Sequence, residues 1–142
     1  MDLLHTACVE VIGGRIGWAN ARNGSRLCGP GAPDQGDRCP EHLLATAMAA
    51  SFGAALDLEA RQRGLNLAPA SVVACVSLGH GDAGRFALSV VLRIRLPALA
   101  PGLARRLVQA AEGECPYARM ARDGAVLRVV LVEQPAPPAS ES

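Results

Sequence analysis

The sequence predicts an α+β fold, with elements in the order β, β, long helix, β, β, helix, β. Three observations carry that prediction. Residues 39–64 form one long apolar run with a start and a stop signal at its ends. Residues 71–96 hold two β-branched, alternating segments around a Gly-rich turn. A second helical stretch behind Pro101 is followed by a closing apolar strand at 125–132.

The long helix organises the chain. Pro40 suits a first helical position, where its missing N–H costs nothing, Glu41 complements the positive end of the dipole, and Gly64 is a ready stop. From Leu43 to Leu56 it carries no charge and many alanines, whereas Asp57, Glu59, Arg61 and Arg63 alternate with apolar residues in the second half. The helix is therefore expected to start buried and finish wet. At helical spacing Leu44, Ala47, Met48, Ser51, Ala55 and Leu58 share one side, and Ser51 is the polar member of that stripe.

Taken in order, residues 3–11 and 15–21 flank Gly13 and Gly14 as a candidate hairpin. Residues 23–38 hold most of the turn formers and read as a surface loop. Residues 71–80, a turn at 79–84 and residues 85–96 form the most secure strand pair, with Phe86, Leu88, Val90, Leu92, Ile94 and Leu96 on one face. Pro101 opens a helix to about residue 113, whose Leu103, Leu107, Ala110 and Ala111 should lie on the sheet. Cys115, Pro116 and Tyr117 then read as an irregular connection before the last strand. One domain is expected over 1–133, with a disordered Pro-rich tail at 134–142.

A chain of 142 residues suits one domain burying about 70% of its unfolded surface. With 14 basic against 13 acidic residues and 3% aromatics, broad recognition of nucleic acid is not expected. The longest uncharged helical stretch is shorter than the roughly 20 residues that span a bilayer, and no cleavable leader is read, so the expectation is a cytoplasmic protein without a membrane segment. Five cysteines, scattered and without CxxC pairs, argue against a secreted disulfide framework and leave thiol chemistry or plain burial. His5, His42 and His80 show no ligand spacing with one another, so no metal is expected. Neither GxGxxG, a P-loop nor a GxSxG elbow is present. An apolar central helix with few aromatics to cover it suggests burial by a second subunit.

Four short motifs, in this order, then carry a resemblance: Gly13-Gly14-Arg15, Pro40-Glu41-His42-Leu43-Leu44, Ala49-Ala50-Ser51-Phe52 and Cys115-Pro116-Tyr117. Together they resemble the OsmC/Ohr superfamily, and more closely its organic hydroperoxide resistance branch. The resemblance implies an intertwined homodimer around the long helix, with pockets at the interface. It implies thiol-dependent reduction of lipophilic organic or fatty-acid hydroperoxides in oxidative-stress defence, with no bound cofactor. The reductant it implies is a dihydrolipoyl thiol, carried by a lipoylated protein. Position by position, Cys115 corresponds to the resolving cysteine, Arg15 to the thiolate-stabilising arginine and Glu41 to the carboxylate that positions it. Ser51 occupies the peroxidatic cysteine position. Cys39 in place of a small polar residue, His42 in place of an amide and a shorter loop before the helix are further departures.

Hydroperoxide reduction needs an anionic sulfur that becomes a sulfenic acid and is captured by a second thiol. A serine performs neither step. Position 51 thus has three readings: an introduced replacement, a natural paralogue that binds a fatty-acid-like or lipoyl-like ligand without turnover, or a nucleophile relocated to Cys115 or Cys39. Each residue also has a plainer reading. Ser51 can bond a carbonyl one turn back, Arg15 can be a turn residue, Glu41 serves the helix dipole, and Cys115 and Cys39 can be inert packed thiols.

Overall fold

Alternation through two neighbouring strands sets the core. Val72, Ala74 and Val76 share a buried face with Val90, Leu92 and Ile94, while Ser71, Val73, Cys75, Arg93 and Arg95 turn the other way. The computed structural model describes residues 2–12, 18–22 and 39–133. Arg15, the whole of the 23–38 connection and the expected tail at 134–142 lie outside the described residues.

The described strands are β1 (Asp2–Ile12), β2 (Trp18–Arg22), β3 (Ser71–His80), β4 (Phe86–Arg95) and β5 (Val126–Leu131). They form one sheet in the order β2-β1-β3-β4-β5, antiparallel except for the parallel pair β4 and β5. The parallel pair needs a crossover, and α2 (Pro101–Glu114) with α3 (Pro116–Gly124) supplies it. The long helix α1 (Pro40–Gln62) packs on β1 and β3 and meets α2 and α3 on its other side. The expected α+β class is observed.

Four features differ from the sequence reading. The buried positions of α1 include Met48, Ser51 and Ala55 of the expected stripe together with Ala45, Ala49, Phe52 and Leu56 beside it, so the buried side extends past that stripe, while Leu58 at its end is exposed. A helix apolar nearly all round, covered by the sheet and by two helices, has no single stripe for periodicity to reveal. Glu59 also breaks the expected wet finish: it is buried and paired with Arg63 one turn on. α2 lies mainly against α1, through Ala104, Leu107, Val108 and Ala111, and not face down on the sheet.

The fourth difference is α3, read from sequence as irregular. Cys115 donates its N–H to Ala111 O at 2.8 Å, ending α2, and its own carbonyl accepts the Arg119 N–H at 3.1 Å, starting α3. Pro116 disfavours a helical conformation at Cys115, which is extended (φ −72, ψ 114), yet suits the first position of a new helix. One residue is thereby an elbow between two helices.

The stop at Gly64 is as expected. Gly64 takes φ 68, its N–H reaches Arg61 O at 3.1 Å, and the Leu65 N–H reaches Ala60 O at 2.8 Å, which satisfies the last carbonyls of α1. At 23 residues α1 is long and apolar enough to cross a membrane by length and composition. Its packing against β1, β3, α2 and α3 accounts for that apolarity as a core helix.

Candidate active site

The elbow and the middle of α1 meet. Cys115 is fully buried, Ser51 is 4% exposed, and Ser51 Oγ lies 3.5 Å from Cys115 Sγ, within hydrogen-bond range for sulfur. Residues 64 apart in sequence are joined because α2 packs along α1 and stops at that level. Phe52 and Met48, both fully buried, hold this part of α1. Two cavities flank the helix. One, of about 220 Å³, is walled by Gly53, Leu56, Leu67 and Pro69. The other, of about 160 Å³, lies among Leu44, Met48, Leu88, Val90 and Met120. Neither Ser51 nor Cys115 lines them.

Glu41 stands elsewhere. Ten residues of helix separate it from Ser51, about 15 Å of rise, which excludes direct contact within one chain. Its Oε2 lies 3.2 Å from His5 Nε2 and accepts the Cys39 thiol at 3.4 Å, and Cys39 Sγ is 3.8 Å from His5 Nε2. His5 reaches this point from β1, where a bulge between Leu3 and His5 shifts the register against β3. Of the four predicted site residues, the structure thus joins Ser51 with Cys115 and sets Glu41 in a separate cluster, with Arg15 outside the described residues.

Sequence reasoning did not find His5 as a partner of Cys39 and Glu41. Only the packing of α1 on β1 brings His5 to residues 34 and 36 positions away, and no local spacing announces it. The expectation that the cysteines serve thiol chemistry or burial also needs correction. Cys8 and Cys75 form a disulfide, because the antiparallel register of β1 and β3 places them directly opposite. Cys39 and Cys115 are free of disulfides and buried.

The family described as OsmC-like protein matches residues 33–130. The chain belongs to it. Among its relatives, this OsmC-like chain is 31% identical over 134 residues to the organic hydroperoxide resistance protein OhrB of Bacillus subtilis, covering 90% of this chain and 98% of that one. The crystal structure of that OhrB superposes with a TM-score of 0.64 at 26% identity, covering 88% and 97% of the two chains. An organic hydroperoxide resistance protein from Legionella pneumophila gives a TM-score of 0.65 at 26% identity over 89% and 96%. One described as a putative organic hydroperoxide resistance protein, from Vibrio cholerae, with captopril bound in one of its active sites, gives 0.63 at 31% identity over 89% and 90%. The OsmC/Ohr fold expected from the sequence motifs is the fold observed.

Proposed function

We propose that this chain is an OsmC-like protein of the organic hydroperoxide resistance lineage in which Ser51 replaces the peroxidatic cysteine. It holds a lipophilic hydroperoxide, or a fatty-acid-like or lipoyl-like molecule, and turns it over poorly. The observation that carries this reading is the buried contact of 3.5 Å between Ser51 Oγ and Cys115 Sγ, the separation a reacting pair of side chains needs.

With sulfur at position 51, a thiolate would attack the terminal oxygen of the hydroperoxide. An S–O bond forms as the O–O bond breaks, and the alcohol leaves with a proton. The Cys115 thiol would then attack the sulfenic sulfur and release water, and a dihydrolipoyl dithiol would reduce the resulting disulfide. Oxygen at position 51 stops this sequence at its first step, since a serine hydroxyl is neither ionised at neutral pH nor able to pass through a sulfenic state.

The same reading makes the chain a homodimer. Leu43 and Leu58 on α1, with Phe86, Met120 and Val126, are large apolar side chains left exposed on one chain, and a second subunit would cover them. Two chains would also let Glu41 and Arg15 of one subunit approach Ser51 and Cys115 of the other. The apolar groove at Leu44, Met48 and Met120 suits the hydrocarbon part of the ligand.

The test is a count of free thiols after the reduced protein meets cumene hydroperoxide. Thiol loss no faster than that of free cysteine is the expected result. Rapid loss that disappears in Cys115→Ala would instead establish a relocated nucleophile and overturn the reading.

A further inference from the structure

We propose that His5, Cys39 and Glu41 form a site for a divalent transition metal of the zinc type, with three ligands from the described residues and the fourth position taken by water or an exogenous ligand. The three donors come from β1 and from the start of α1, and Cys39 and Glu41 are 3% and 6% exposed. Each offers a donor that zinc accepts: an imidazole nitrogen, a thiol sulfur and a carboxylate oxygen. Three protein ligands with one open vertex is the arrangement of a reactive zinc centre, whereas four would close it.

Geometry supports the assignment. Tetrahedral zinc at ordinary bond lengths sets donor separations of about 3.3 Å for N···O, about 3.5 Å for S···O and about 3.6 Å for S···N. The observed separations are 3.2 Å, 3.4 Å and 3.8 Å in the same order. The three donors therefore already stand within a few tenths of an ångström of the separations an ion would impose.

Charge supports it as well. A dipositive ion with one thiolate and one carboxylate is neutral, so a buried site carries no uncompensated charge. In the metal-free protein the Cys39 thiol bonds Glu41, and that proton leaves when the ion binds. The His5 side chain, 18% exposed against 8% for Glu41, gives the approach route among the described residues. The Cys39 sulfur donates to Glu41 Oε2 at 3.4 Å and lies 3.8 Å from His5 Nε2, so it faces the cluster. A thiolate in the set selects against magnesium and calcium, and imidazole suits zinc or cobalt.

Titration of the chelator-treated, reduced protein with Co²⁺ tests this. The expected result is one ion per chain, a thiolate-to-cobalt charge-transfer band with tetrahedral visible absorption, and displacement by Zn²⁺. The band should vanish in Cys39→Ser and persist in Cys115→Ser, whose thiol lies beside Ser51. His5→Gln, at a partly exposed position that leaves the core intact, should weaken binding at least about tenfold. Absence of the band, its survival in Cys39→Ser, or unchanged affinity in His5→Gln would each overturn the proposal. None of these readouts depends on hydroperoxide turnover: an ion on Glu41 would withdraw that carboxylate from Arg15, but the Ser51–Cys115 contact that carries the proposed function is untouched.

Discussion

Ser51 Oγ and Cys115 Sγ lie 3.5 Å apart in the interior, one at the middle of the longest helix and the other at the elbow between the two shorter ones. Each is placed by backbone that does not depend on the atom it carries. The pair is therefore a fixed frame into which different chemistry can be set.

Ser51→Cys should convert that frame into a dithiol. On addition of one equivalent of cumene hydroperoxide, the variant is expected to lose two thiols per chain and form a disulfide between positions 51 and 115, seen by peptide mass mapping. A variant that stays fully reduced would show that the contact does not support the reaction.

Phe52→Ala should be among the most damaging substitutions in α1. The ring is fully buried between the sheet and the helices, and removing it costs about 3–5 kcal/mol through lost transfer energy and the cavity left behind. Urea unfolding should show the midpoint falling steeply, whereas Leu43→Ala, one exposed residue of the same helix, should move it far less.

At the end of α1, Gly64→Ala should cost about 1–2 kcal/mol, because φ of 68 is unfavourable for a residue with a side chain. A methyl group there would meet nothing within 4 Å, so the loss comes from the backbone alone. The denaturant slope should stay constant while the midpoint drops, and Gly102→Ala, inside α2 and equally open, should not reproduce the loss.

His42→Met should raise stability. Nδ1 of His42 is a buried polar atom with no hydrogen-bond partner among the described residues, and replacing it with an apolar side chain of similar reach removes a desolvation cost of about 1 kcal/mol. Thermal unfolding should shift upward by roughly 3 °C. A downward shift would mean that the imidazole has a stabilising role.

Much of this was legible in the residues. Pro40 and Gly64 mark the ends of α1, and the alternation through Ser71–His80 and Phe86–Arg95 fixes both the strands and the face they bury. Ser51 and Cys115 could be singled out by their motifs, and they meet. The side of α1 that faces the sheet was not legible, because alanines on every side make periodicity uninformative until the packing partners are known. Helix α3 was hidden by reading Cys115, Pro116 and Tyr117 as an irregular connection, when proline after an extended residue is also a helix opener. The disulfide of Cys8 with Cys75 and the meeting of His5 with Cys39 depend on register and docking between distant segments. No local pattern encodes either.

The elbow has one more consequence. Cys115 is indexed by its bond back to Ala111 and its bond forward from Arg119. Inserting one residue into α2 would swing the thiol by about 100° around the helix axis and carry it away from Ser51. Exchanging oxygen for sulfur at position 51 would displace no backbone at all. The architecture is intolerant of changes in length and indifferent to that one change of element, so the chemistry at position 51 can be exchanged without refolding.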